Sequence, residues 1–167
     1  MTIRIDHLFH WPEYVPTIAG WQQDQFGYLN PLGTVRQREQ RLREATDPDR
    51  LPIALVALSE ENLLVGSATI MATTLTHKHL TPWLSSVFVP PACRGKGIAS
   101  ALSMRAVEEA ARLGFEALYL FTPQSESLYA RLGWRTFDHA VHNGVPLAIM
   151  RRSALAPSDH LAPPALG

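Results

Sequence analysis

From Ile98 to Leu113 the apolar residues Ile98, Leu102, Ala106, Ala110 and Leu113 recur every three or four positions, while Arg105, Glu108, Glu109 and Arg112 fill the other face. That period predicts an amphipathic helix with one buried stripe, closed by Gly114 just beyond it. TVRQREQRLREAT predicts a second helix: Thr34 caps it, Glu39 stands four residues before Arg43, and Asp47-Pro48 ends it. Upstream, residues 12–30 place Tyr14, Ile18 and Trp21 at helical spacing and read as an irregular helix, interrupted by Pro16 and stopped at Gly27.

The remaining apolar runs have the length and composition of strands. Thr2 to His7 is short; Ile53 to Leu58 and Leu63 to Thr74 are joined by Ser59-Glu60-Glu61-Asn62, a connection of hairpin length; Leu84 to Val89 and Ala117 to Phe121 follow. Thr122 and Pro123 then suit the cap and first residue of a short helix ending at Leu132-Gly133. Trp134 to Ala140 and Val145 to Arg151 flank Asn143-Gly144, a strong hairpin signal. The order predicts a mixed, mostly antiparallel α/β sheet flanked by helices. Residues 1–152 read as one domain, and the Pro/Ala-rich segment 153–167, which has no periodicity, as a mobile tail.

Composition narrows the partners. Formal charge is balanced, at +0 over 167 residues, and Lys and Arg form no long run, which disfavours nucleic acid and anionic membranes. The single cysteine, Cys93, excludes an intramolecular disulfide or a thiolate zinc cage and suits a reducing compartment. Arg4 and Asp6 break any secretory signal, and Pro82, Pro90 and Pro91 interrupt the longest apolar candidate for a membrane span. The expectation is a cytoplasmic protein with a small partner and no metal; a homodimer is compatible with the sequence.

CRGKGIA, residues 93–99, joins a strand to the amphipathic helix. Such a turn aims free backbone N–H groups and the positive end of the helix dipole at one point, where an anion fits. Gly95 and Gly97 let the backbone approach closely, and Arg94 and Lys96 add charge, so a phosphate or pyrophosphate is the expected occupant. The segment is not a Walker A loop, because Lys96 is followed by Gly97 and Pro90 stands where the first glycine belongs. It is not a dinucleotide fingerprint either, since Ser100 replaces the third glycine and Glu116 precedes its strand.

VFVPPACRGKGIASAL resembles the signature of the GNAT acyltransferase superfamily: a strand ending in V-x-P, then [QR]-x-x-G-x-[GA] and a helix, with Arg94, Gly97 and Ala99 in the defining places. The resemblance continues through LYLFT to SLYARLGW, where Tyr129, Gly133 and Trp134 match [FL]-Y-x-x-x-G-[FW], and covers Leu84 to Arg151. It implies the GNAT fold, with the strands matching Leu84–Val89 and Ala117–Phe121 splayed apart. It also implies acetyl-CoA as co-substrate. The amides of Arg94, Gly95, Lys96, Gly97, Ile98, Ala99 and Ser100 would cradle its pyrophosphate. The backbone of Val87, Phe88 and Val89 would pair with its pantetheine arm, satisfying groups that the splay leaves free.

By the same resemblance the activity is N-acetyl transfer to a primary amine by direct attack in a ternary complex. A strand amide near Phe88 or Val89 donates to the oxyanion, and Tyr129 donates a proton to the departing sulfur. Many relatives carry a glutamate base just before the motif; here those places hold Trp83, Leu84, Ser85 and Ser86. His77, His79, His139 and His142 are the alternative proton acceptors. A ping-pong route through Cys93 ranks behind direct transfer, because no His or Asp stands near it in sequence.

The implied acceptor pocket lies between the first two helices, FGYLNPLG and the last hairpin, with Trp21, Phe26 and Tyr28 as candidate walls. Asp24, Glu60, Glu61 and Asp138 are scattered, so no acidic cluster marks a polycationic acceptor; a peptide N-terminus or a small primary amine fits. The competing reading is a catalytically silent acyl-CoA-binding module.

Overall fold

The protein is described by a computed structural model covering residues 2–154. Its elements run β1 (Arg4–His7), α1 (Val15–Phe26), α2 (Val35–Glu44), β2 (Ile53–Leu58), β3 (Leu64–Met71), β4 (Trp83–Phe88), α3 (Ile98–Arg112), β5 (Ala117–Thr122), α4 (Glu126–Arg131), β6 (Arg135–His142) and β7 (Val145–Ser153). The strands form one open sheet in the order β1-β2-β3-β4-β5-β7-β6. Every neighbouring pair is antiparallel except β4 and β5, which are parallel.

Helices cover both faces of the sheet. Ile53, Leu55, Ile70, Leu118 and Leu120 meet Leu102 of α3 on one side, and Ala54, Val56 and Leu58 meet Ile18 of α1 and Leu42 of α2 on the other. Every residue of β2 is therefore buried, which is why IALVAL shows no alternation. Gly66 of β3 is required by close approach: a Cβ there would stand 2.9 Å from Ile98 Cγ2, 3.2 Å from Leu102 Cδ1 and 3.3 Å from the Phe88 carbonyl. Gly66→Ala is expected to cost about 1–3 kcal/mol in chemical denaturation by wedging α3 off the sheet. A loss below about 0.5 kcal/mol would mean that the interface yields freely.

Local chemistry explains most boundaries. Thr34 and Gln37 form a capping box: Gln37 N–H donates to Thr34 Oγ1 (3.1 Å) and Thr34 N–H to Gln37 Oε1 (3.0 Å). The expected Glu39–Arg43 pair is not among the ion pairs of the described residues; Gln40 Nε2 instead donates to Glu44 Oε1 at 3.0 Å. Pro16 falls in the first turn of α1, where its missing N–H costs nothing. The helix stops at Gly27 as expected, ending at Phe26 with Gly27 as its C-cap, but Gly27 keeps right-handed backbone and leads into a 3-10 turn, Gly27–Leu29.

Other boundaries differ from expectation. β3 ends at Met71, not Thr74, because its partner β4 begins opposite it at Trp83. Thr122 is the last residue of β5, paired with Ala148; its Oγ1 accepts from the Ser125 N–H (2.8 Å), and α4 starts only at Glu126. β7 continues through Ser153, paired with Ala117, and Ala154 is buried with its N–H on the Glu116 carbonyl at 2.9 Å. The folded body therefore passes residue 152, and the remainder of the expected tail lies outside the described residues.

Candidate active site

A cleft of about 720 Å³ opens between β4 and β5. The two strands meet at a single rung, Trp83 opposite Tyr119, beside which the Tyr119 N–H donates to the Pro82 carbonyl at 3.0 Å. Beyond that rung they diverge, as expected from the resemblance. A bulge in β4 contributes: Ser85 faces Thr69 and Phe88 faces Ser67, so three steps of β4 match two of β3. Ser86 takes the left-handed φ of 54° there, and Thr69 Oγ1 donates to the Ser85 carbonyl at 3.0 Å. Such a bulge bends its strand.

The glycine loop lies at the N-terminus of α3. Arg94 N–H donates to the Pro91 carbonyl (3.3 Å) and Ala101 N–H to the Gly97 carbonyl (3.0 Å); the amides between them, residues 95–100, have no acceptor among the described residues. Gly95 and Gly97 hold φ near +80°, at +79° and +80°, a region that costs other residues about 1–2 kcal/mol. A Cβ on either would meet nothing within 4 Å, so backbone conformation rather than crowding selects glycine. The result is a concave set of donors at a helix start.

Arg94 is a brace as well as a charge. Its Nε donates to the Val89 carbonyl at 2.9 Å, and its guanidinium lies 5.7 Å from the centre of the Phe88 ring. Trp21 packs against that ring, 5.0 Å centre to centre, and joins the core under α1; unlike Phe26 and Tyr28 it is not a cleft wall.

Of the residues expected to bind the co-substrate, Val87, Phe88, Val89, Arg94 and Ala99 line the cleft. Gly95, Lys96 and Gly97 are exposed outside its lining, Ser100 is half-buried, and the Ile98 side chain is 2% exposed in the core, so these residues would act through backbone amides.

Tyr129 lines the cleft from α4 and is 8% exposed. Its carbonyl accepts from both Leu132 (2.9 Å) and Trp134 (3.0 Å), which closes the helix around it, and its ring meets Trp134 edge-on at 6.0 Å. Burial pushes the phenol up to about 12, so it is protonated at neutral pH.

The histidines are not brought to it. None lines the cleft. His77, within the β3–β4 connection, donates from Nε2 to Asp138 Oδ2 at 2.7 Å, and its Nδ1 lies 3.0 Å from Thr76 Oγ1; the bond to Asp138 helps hold that carboxyl below the usual carboxylate range. His139 borders a separate groove between α4 and β6. Cys93, half-buried in the turn before the loop, packs on the core rather than on the cleft. Sequence reasoning placed the first two helices at this pocket but missed the polar residues of that wall, where Gln22 of α1 and Arg38 of α2 stand with Thr69 and Met71 of β3. The signal was present in α2: Arg38 shares the buried stripe with Leu42, four residues on.

Among the described residues no group of His, Cys, Asp and Glu is placed to hold a metal ion, and no helix is long and apolar enough to cross a membrane.

Known proteins share this architecture. The fold aligns with a chimera of the Vibrio cholerae spermidine N-acetyltransferase SpeG and hSSAT at a TM-score of 0.70 and 18% identity, over 98% of this chain and 100% of that one. It aligns with an aminoglycoside 6'-N-acetyltransferase complexed with coenzyme A at 0.71 and 15% identity, over 93% and 98%. An uncharacterized N-acetyltransferase of Escherichia coli (strain K12), YjgM, is 37% identical over 62 residues, which make up 35% of this chain and 37% of that protein. The match thus spans little more than a third of that relative. Residues 15–134, from the start of α1 through the bulged β4, the amide loop and Tyr129 to Trp134, match the family described as Acetyltransferase (GNAT) family. On that match the chain belongs to the GNAT acetyltransferase family.

Proposed function

We propose that the protein moves the acetyl group of acetyl-CoA to a primary amine, of a small molecule or a peptide N-terminus, by direct attack in a ternary complex. The observation that carries this reading is the run of acceptor-free amides at residues 95–100 beside a cleft lined by a protonated tyrosine. The spermidine and aminoglycoside enzymes that share the fold act on small amines, and one holds coenzyme A, which supports both substrates.

In this reading the loop amides, with Lys96 beside them, grip the pyrophosphate, and the backbone of Val87 and Phe88, through whichever groups β3 does not take, receives the pantetheine amides. The Val89 carbonyl is already bonded to Arg94, so Val89 offers its N–H alone. A neutral amine attacks the thioester carbon, a β4 amide near Phe88 or Val89 donates to the oxyanion, and the C–S bond breaks as the N–C bond forms. The nitrogen gives up one proton and the sulfur gains one. The first leaves through water, since neither an imidazole nor a carboxylate lines the cleft.

Tyr129 faces the second. A phenol near 12 and a thiol near ~8.5 make complete transfer uphill by about 5 kcal/mol, so Tyr129 acts mainly by hydrogen-bonding the developing thiolate, which then takes its proton from solvent.

Two measurements test the reading. Acetyl-CoA at about 100 times its Kd is expected to stabilise the fold by about 2.7 kcal/mol, seen as a raised Tm, and an amine panel is expected to release free thiol. A shift without thiol release from any amine would favour the silent binding module; neither signal would remove the proposal.

A further inference from the structure

Arg38 is 8% exposed, lines the cleft, and has no carboxylate within ion-pair distance among the described residues. Its one bond is from Nε to Gln23 Oε1, at 3.0 Å, which leaves the outer nitrogens of the guanidinium unpaired. Buried cations are ordinarily paired; these nitrogens are not among the fully buried unpaired atoms of the described residues, so they face the cleft with water, and no counter-charge, as their partner. The neighbourhood worsens the imbalance: burial and then the adjacent Arg41 both act to lower the Arg38 pKa. Arg41 and Lys78 stand at the rim of the same cleft, and its lining contains no Asp or Glu. Gln22, 5% exposed, also lines the cleft, and its amide has no hydrogen-bond partner among the described residues.

These groups stand on the acceptor side. α2 packs on the sheet face opposite the one that α3 covers, whereas the amide loop opens α3. Resting on the acetyl-transfer reading above, we propose that the acceptor is a carboxylate-bearing amine, with its carboxylate paired to Arg38 and hydrogen-bonded by Gln22. Phe26, Leu42 and Leu75 give the same wall an apolar component for the rest of the molecule. A polycation would meet repulsion here and no counter-charge.

The test compares acceptors with and without one carboxylate, with rates taken per concentration of neutral amine: α-amino acids beside their carboxamides, and dipeptides with Asp beside those with Asn in the second position, with spermidine as the polycationic control. Acids of at least one series are expected to exceed their neutral partners in kcat/KM by about 10-fold or more, and Arg38→Gln to erase that preference while leaving the KM for acetyl-CoA unchanged. Preference for the neutral partners or spermidine, or an Arg38→Gln effect confined to acetyl-CoA, would overturn the assignment. Should no amine turn over, calorimetry of N-acetyl amino acids against N-acetyl amino acid amides, with coenzyme A present, still decides it. Acid-selective binding lost in Arg38→Gln would uphold the anion site while the transfer reading falls, and absence of selectivity would sink the site.

Discussion

Tyr129→Phe is expected to lower kcat about 100-fold with little change in acetyl-CoA affinity, the low end of what one hydrogen-bond donor aimed at developing charge supplies. The phenol is buried against Trp134 and pushed up to about 12, so the wild-type protein presents a donor that does not ionise in the neutral range. Phenylalanine keeps the ring and removes only that donor. The loss then belongs to the transition state, so kcat and kcat/KM fall together. Steady-state kinetics with unchanged turnover would take Tyr129 out of the mechanism.

The same substitution has a second signature at high pH. An unfolded tyrosine ionises near ~10, whereas this one keeps its proton until about 12. Stability from this group is therefore fully present below the unfolded value and is lost as pH rises from there through the folded one, by up to about 3 kcal/mol. The wild type should lose stability to alkali more steeply than Tyr129→Phe in denaturant titrations at paired pH values. Identical slopes would mean that the phenol is better solvated than its burial indicates.

Trp83→Ala is expected to cost about 3–5 kcal/mol in chemical denaturation. Trp83 is 0% exposed, donates from Nε1 to the Leu80 carbonyl at 2.7 Å, packs 5.6 Å from the Tyr119 ring and shares a core with Leu29, Leu147 and Ile149. Truncation leaves a cavity and an unpaired carbonyl at the rung where β4 and β5 meet. The KM for acetyl-CoA is therefore expected to rise as well, because the walls of the cleft are set by that junction. A stability loss under about 1 kcal/mol would show that the cleft apex is not keyed to this side chain.

The parts of this molecule legible in its sequence are those where physics is local. The stripe of α3, the Thr34 cap, the apolar β2 and the Asn143-Gly144 turn are each fixed by neighbours within a few residues, and the structure places them as expected. The amide loop was legible for the same reason: two glycines before a helix define its donors without reference to the rest of the chain. Ser86 was not, since a left-handed serine in a bulge answers to the register between β3 and β4 rather than to its own side chain. The end of β3 likewise depends on where β4 begins. The acceptor wall was hardest to read, because Gln22, Arg38 and Thr69 come from three elements and meet only after folding. His77 and His139 illustrate the converse: both were candidates for the site, yet one is bonded to Asp138 and the other borders a different groove.

The solitary rung between Trp83 and Tyr119 makes the sheet two leaves stitched at one point. A guest in the gap that bonded to both β4 and β5 would act as a temporary eighth strand, mending the seam while it is present. Occupancy and cohesion of the two leaves are then linked, and the linkage is reciprocal: whatever free energy the guest adds to the join, an already joined seam adds to the guest.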